Sequence, residues 1–290
     1  MRTASIIQLI YGVPGIFTYF IVLIAMMAQK KILSKSFIVI FAITGAINGA
    51  TWINSWISIR LKQEAFMENF DEWVTQHFFF RAALIFLVQQ FYFTQNTCVL
   101  LLTLDRFAVI HSINRKTEIW KKSYVFVTVL AQSLCVILNI GTRLFFNGRI
   151  RANMKIEDLI KQALNNPSFF QIAFGGFVFF TCSILNAVSL RRLHALRGIA
   201  HASREVSFFV ISLCIFFAQI LNLIIYAIIA IEYSVNANDK TTPFLTIINE
   251  VMLFTSDLFS IGPAFYTLLL PGPVRRLVSH TVKSTMGRYL

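Results

Sequence analysis

The sequence predicts an all-α membrane protein, a bundle of seven transmembrane helices, and three observations carry that expectation. Of 290 residues, 57% are hydrophobic and only 13% charged, with a mean hydropathy of +0.68, against about 45–50% and about 25% in ordinary soluble domains. One water-facing globule of this size has no room to hide that much apolar surface, 30 Phe included, so much of it must face lipid; a soluble enzyme is excluded. Seven apolar stretches are long enough to cross a hydrocarbon core of about 30 Å, which takes about 20 helical residues. Lys and Arg, finally, collect in alternate loops.

In chain order the spans read as about 6–28, 36–59, 76–104, 123–146, 168–190, 206–231 and 244–270. The first is too long for a signal-peptide core of about 7–15 residues. Lys30, Lys31 and Lys35 follow it directly and mark a retained, stop-transfer helix. No loop holds enough apolar sequence for a second core, so residues 1–290 read as one transmembrane domain. Between spans four and five, Ile156, Leu159, Ile160, Ala163 and Leu164 recur at helical spacing and stop at Asn165-Asn166-Pro167. That segment is either a lid on the outer mouth or a helix resting on the headgroups. After span seven, Val274, Leu277, Val278, Thr281, Val282 and Met286 form a stripe that Arg275, Arg276 and Lys283 avoid, and Pro273 suits a first helical turn. Residues 273–286 are therefore expected to form a short amphipathic helix on the cytoplasmic membrane surface.

The segments after spans one, three, five and seven hold 16 of the 26 Lys and Arg, and the opposite side holds 8. Cationic loops stay on the side from which they are not translocated, so the amino terminus is expected outside and the carboxyl terminus in the cytoplasm of a multi-pass plasma-membrane protein. With only 3 acidic residues on the inner side, the whole net charge of +13 sits there. Anionic lipid of the inner leaflet accounts for it, and a cytoplasmic partner with an acidic surface could also use it. A nucleic-acid partner is not expected, because it would need a basic face on a soluble module.

Cys98, Cys135, Cys182 and Cys214 all lie within predicted spans, where they act as small apolar residues rather than as an outer disulfide. The five His sit at span ends or in loops, and the chain has no His-Glu-x-x-His, no Gly-x-Ser-x-Gly and no Gly-Lys-Ser/Thr loop. The expectation is a protein without catalytic site, metal or cofactor.

Charges inside the hydrocarbon cost at least about 2.5–3.5 kcal/mol each at mid-depth, so each needs a partner, a wet cavity or an escape to the interface. Asp105-Arg106-Phe107 closes span three at its inner end, and Gly262 precedes Pro263-Ala264-Phe265-Tyr266 near the inner end of span seven. The first resembles the Asp/Glu-Arg-Tyr motif of G-protein-coupled receptors, and the second their Asn-Pro-x-x-Tyr motif with Gly in place of Asn. With Ile7-Gln8-Leu9-Ile10-Tyr11-Gly12-Val13-Pro14 opening span one, Trp120 following the triplet, and the end from Pro263 to Arg276, nearly the whole chain is similar to nematode serpentine chemoreceptors of the gamma class and its class V neighbour.

That resemblance implies a rhodopsin-like seven-helix architecture in which Arg106 is restrained at rest and contacts a heterotrimeric G protein when active. Arg115, Lys116, Arg191, Arg192 and Arg204 would border the same cytoplasmic site. Several features of rhodopsin-like receptors do not carry over: span one has no Asn, span two no Asp, and span six neither Trp nor Pro. Val88 stands where amine receptors carry an Asp, and span seven has no Lys to hold retinal.

A small-molecule ligand site is expected in the outer half of the bundle, where polar side chains sit among aromatics. The candidates are Gln89, Gln90 and Tyr92 in span three, Asn222 and Tyr226 in span six, and Asn249, Glu250 and Asp257 in span seven. Glu250 and Asp257, seven residues apart, share a helical face directed into the bundle, with Arg143 as a candidate countercharge unless it snorkels outward. The function these features favour is a chemosensory receptor that binds a small environmental molecule from outside and activates a G protein. The alternative is a transporter or ion channel that uses Glu250 and Asp257 as a relay.

Overall fold

A computed structural model describes residues 2–28, 34–61, 64–112, 119–152, 168–196, 200–235, 243–270 and 275. The expected helices at 156–164 and 273–286, apart from Arg275, fall outside the described residues, as do Arg115, Lys116 and the side chains of Arg143 and Arg204.

Nearly all the described residues are helical. The helices are α1 (Thr3–Ala28), α2 (Lys35–Ser55, prolonged by a π-helical turn Trp56–Arg60), α3 (Glu68–Gln76), α4 (Phe78–Ser112), α5 (Ile119–Ala152), α6 (Ser168–Ala195), α7 (Ala200–Val235), α8 (Pro243–Ser260) and α9 (Gly262–Leu269). Six are long and apolar enough to cross a membrane, and α8 with α9 makes a seventh, bent crossing. The all-α bundle read from composition is what the chain forms, and it is a multi-pass membrane protein.

The longest apolar side chains divide by face. On α1, Tyr19, Val22 and Met26 are buried, whereas Ile10, Phe17 and Phe20 are exposed; on α5, Phe126, Val129 and Ile137 are exposed. An α-helix with an apolar outer face is stable only where lipid covers that face. α4 is the central helix and packs on α2, α5, α6 and α7. The main core gathers Phe37 and Phe41 of α2, Leu101 and Leu102 of α4, and Phe208, Ile211 and Ile215 of α7.

Three elements differ from the sequence expectation. The third span does not stop near 104 but runs on to Ser112, because Asp105 and Arg106 are paired inside the bundle and do not need water. The segment after span two carries the short helix α3, whose Trp73 stacks with Phe70 and His77. Span seven is not one helix over 244–270; it breaks at Ile261 with a bend of 54°.

Pro263 causes the break, since it has no N–H and its ring excludes the carbonyl four residues earlier. The Ile261 N–H still reaches the Asp257 carbonyl at 2.7 Å, but the Ala264 N–H turns to the Ile261 carbonyl at 3.2 Å. The Tyr266 hydroxyl then donates to the Leu258 carbonyl at 3.2 Å. This fold-back explains Gly262, where a Cβ would stand 2.5 Å from the Tyr266 oxygen. Any side chain there, Asn included, would displace the phenol.

Candidate functional site

Two charged centres lie at opposite ends of the bundle, with separate groups of hydrogen-bonded amides between them. We call the end where α1 begins the amino end and the end where α9 finishes the carboxyl end.

At the carboxyl end, Arg106 is 2% exposed and Asp105 fully buried. Arg106 donates through Nε (3.1 Å) and Nη2 to Asp105 Oδ2, through Nη1 to Glu205 Oε2 of α7 at 2.9 Å, and through Nη2 to Ser34 Oγ at 3.1 Å. Ser34 is the N-cap of α2 and also accepts from the Phe37 N–H, so one hydroxyl serves a helix end and a cation. Trp120 Nε1 donates to the other Asp105 oxygen at 2.8 Å. The rings of Phe37 and Phe208 lie 4.4 and 5.6 Å from the guanidinium carbon. α2, α4 and α7 thus meet on one cation, and α5 joins them through Asp105. In a low-dielectric interior such a network is strong when complete and costly when any member is removed.

At the amino end the cation is Arg60, which the hydropathy reading left beyond the second span. The π turn over Trp56–Arg60 carries it inward to 1% exposure; such turns shift side-chain phase and recur at functional sites. Arg60 Nη2 donates to Asp257 Oδ1 at 2.6 Å and to the Leu253 carbonyl at 3.3 Å, and the Tyr11 hydroxyl donates to Asp257 Oδ2 at 2.5 Å. Nearer the surface, Arg2 pairs with Glu250 at 2.7 Å, while its backbone N–H and Ser5 Oγ donate to Glu64. Burial pushes the Glu64 carboxyl up, but the Ser5 hydroxyl, the Arg2 N–H and the Arg2 cation outweigh that and hold it below the ordinary carboxylate range.

Between the two ends, α4 presents a run of amides. Gln95 Nε2 donates to Asn48 Oδ1 at 2.9 Å and to Ser260 Oγ at 3.0 Å, and Asn48 donates to the Tyr19 oxygen at 3.0 Å. Gln219 Nε2 donates to Asn96 Oδ1 at 2.7 Å. Toward the amino end, Asn139 Nδ2 donates to Gln90 Oε1 at 3.0 Å, and the Tyr92 hydroxyl donates to the Gln171 carbonyl at 2.9 Å.

The candidate ligand residues fall into two groups. Tyr92 of α4 and Tyr226 of α7 meet edge-to-face at 5.2 Å, Asn222 lies one turn before Tyr226 on α7, and Gln90 of α4 turns to Asn139 of α5. Gln90 Nε2 and Asn222 Oδ1 are buried and have no partner among the described residues. Gln89 and Asn249 are half-buried. Glu250 and Asp257 belong to the α1–α2–α8 side, where their cationic partners among the described residues are Arg2 and Arg60. At the carboxyl end, Phe107 stacks on His111 at 4.2 Å, Arg191 is exposed and Arg192 half-buried on the last turn of α6, and Pro263 and Tyr266 form the bend.

Sequence reasoning missed Glu205, Arg60, Tyr11 and the amides Asn48, Gln95, Asn96 and Gln219. Glu205 and Arg60 each lie one residue outside a hydropathy boundary, at 206 and 59, where a charge reads as the end of a span. Each has polar sequence on its loop side, Lys62-Gln63-Glu64 after Arg60 and His201-Ala202-Ser203-Arg204 before Glu205, so nothing local set either charge apart from a span end.

A family model for Srg family chemoreceptors matches residues 5–278. No curated protein and no solved structure matches the chain significantly.

Proposed function

Because this chain belongs to the Srg family of chemoreceptors, we propose that it binds a small environmental molecule from outside the cell and activates a heterotrimeric G protein at its basic, carboxyl end. The observation that carries the reading is the Arg106 cluster. Its links from α4 to Glu205 of α7 and to Ser34 at the start of α2 hold three inner helix ends together, which is the arrangement of a restrained switch. A ligand favours activation only by binding better to the state in which those links are open.

For the ligand, the reading uses Gln90, Tyr92, Asn222 and Tyr226 as its central contacts, with Gln89 and Asn249 at the margin. The reading is supported by the unpartnered Asn222 Oδ1 one turn from the Tyr92–Tyr226 pair and by the unpartnered Gln90 Nε2, polar atoms among aromatics as a small-molecule site requires. At the other end, Arg106 and Asp105 form the switch, and Phe107, Pro263, Tyr266, Arg115, Lys116, Arg191, Arg192 and Arg204 border the G-protein surface. The inner leaflet's anionic lipid would sit beside the same cations.

Ion transport is less well supported, because both carboxylates it would use are engaged, Asp257 by Arg60 and Tyr11 and Glu250 by Arg2. The test is a ligand screen in cells with a G-protein activation readout. A ligand that activates the wild type is expected to fail on Arg106→Ala at equal surface expression. An undiminished response would remove Arg106 from the mechanism, and substrate flux in G-protein-free vesicles would replace the receptor by a transporter.

A further inference from the structure

The amino end holds donors without acceptors. Gln8 Nε2, Trp52 Nε1, Trp56 Nε1 and both Nε and Nη1 of Arg60 are buried and have no hydrogen-bond partner among the described residues. Gln8 and Arg60 are each 1% exposed, and both indoles 7%. Buried N–H groups are nearly always paired, so five in one region call for an acceptor that belongs to something else.

These donors are neighbours. Arg60 lies over the Trp56 ring, its guanidinium carbon 5.2 Å from the centroid, and the Trp52 and Trp56 centroids are 5.7 Å apart. Trp52 Nε1 lies 3.0 Å from where a Cβ on Gly12 would stand, and Gln8 is one helical turn earlier on the same face of α1. Positions 52, 56 and 60 follow one face of α2 and its π turn, a ladder about 12 Å long at 1.5 Å per residue.

Charge selects among acceptors. Among the described residues, Arg60 is already neutralised by Asp257 and Arg2 lies with both Glu64 and Glu250, so neither of these arginines has positive charge to spare for an anion. A carboxylate there would be buried beside Asp257, at a large cost in desolvation and repulsion. The N–H groups of Gln8, Trp52, Trp56 and Arg60 themselves offer a cation nothing to bind, and the Glu250 carboxylate, whose Oε2 has no hydrogen-bond partner among the described residues, is held with Arg2.

We propose that Gln8 of α1 with Trp52, Trp56 and Arg60 of α2 and its π turn make a second binding site, which opens between the two helices to take an elongate uncharged molecule whose oxygens accept hydrogen bonds: a ketone, ester or lactone. The two indoles supply flat apolar contact, and the N–H groups orient the oxygens. The site is separate from the ligand contacts proposed around Tyr92 and Tyr226. It rests on the receptor reading only in supposing that its occupant is a signalling molecule.

The experiment measures binding on the purified full chain in lipid nanodiscs, without G protein, as the shift in thermal midpoint with 2-nonanone, γ-decalactone, nonanoate and nonylamine. The ketone and the lactone are expected to raise the midpoint saturably, and nonanoate and nonylamine to leave it unchanged. Gln8→Met and Trp52→Phe, each removing an N–H while keeping volume, are expected to leave the unliganded midpoint unchanged or higher and to weaken binding about tenfold, the effect of one lost hydrogen bond to a buried acceptor. The proposal is overturned if no compound binds, if nonanoate or nonylamine binds better, or if both variants bind like the wild type. It is also overturned if the variants are destabilised without ligand, since the donors would then be held by buried water. Binding without G-protein activation would uphold the site and count against the receptor reading; activation by ligands that bind elsewhere would do the reverse.

Discussion

Arg106 and Arg60 are both buried arginines paired with a buried aspartate, yet their surroundings differ in one respect. Arg106 has acceptors for every one of its nitrogens, from Asp105, Glu205 and Ser34, and Trp120 completes Asp105. Arg60 uses Nη2 alone, and its Nε and Nη1 face no acceptor among the described residues. A closed network resists change until a member is pulled away, whereas an open one has capacity for a new partner. On the proposed reading the carboxyl end serves as a latch and the amino end as a receiver, a division that would suit a protein carrying a signal across a membrane.

The largest expected effect breaks either centre outright. Arg60→Met would leave Asp257 buried with Tyr11 alone, and removing one partner of a buried pair costs about 3–5 kcal/mol. The variant is expected to lose most of its folded population in nanodiscs, read as a lowered thermal midpoint. The double variant Arg60→Met/Asp257→Asn is expected to recover much of it, because no uncompensated charge remains; a double variant as unstable as the single one would deny the pair its role.

Next comes the latch. Glu205→Gln keeps the shape but replaces a charge-assisted hydrogen bond, worth about 1.5–3 kcal/mol, with a neutral one of about 0.5–1.5 kcal/mol. Ligand-free G-protein activation is expected to rise several-fold, with no change in the amino-end site, and a basal rate equal to the wild type would place the restraint elsewhere.

A smaller effect is expected at the bend. Tyr266→Phe removes one hydrogen bond to the Leu258 carbonyl, about 0.5–1.5 kcal/mol, whereas Gly262→Ala forces the phenol off its seat. Gly262→Ala should therefore be the more damaging of the two in thermal melts, and the reverse order would discredit the fold-back of Tyr266 onto Gly262.

The smallest effect concerns Glu64. Its folded pKa is below the unfolded value of about 4.3. The stabilisation is therefore present above the unfolded pKa and is lost as pH falls through the lower, folded one. With Arg2 39% exposed the expected contribution is under about 1 kcal/mol. Wild type and Glu64→Gln should separate slightly in thermal midpoint at neutral pH and converge only once the pH has fallen through the lowered, folded pKa.

How much of this was legible in the sequence depends on which property a feature uses. The spans were, because lipid exposure demands long apolar runs whatever the tertiary contacts. Asp105-Arg106 was also visible, since adjacent opposite charges at a span end form a local pattern. Glu205 as its partner was not: it lies 99 residues away, and only packing of α7 on α4 unites them. Asp257 was identified as an inward carboxylate, but its counterion was not, because Arg60 reaches it only through a π turn that hydropathy does not encode. The break in span seven had a visible cause in Pro263, although Gly-Pro pairs bend helices by differing amounts and the 54° angle needed the neighbours to set it.

The central claim is that a latch between Arg106 and Glu205 holds an otherwise competent receptor at rest. Its most direct measurement is nucleotide exchange on a heterotrimeric G protein added to the full chain in nanodiscs without ligand, comparing wild type, Glu205→Gln and Arg106→Ala. The account expects low exchange, raised exchange and none, in that order. Three equal rates, with all three chains folded, would contradict it.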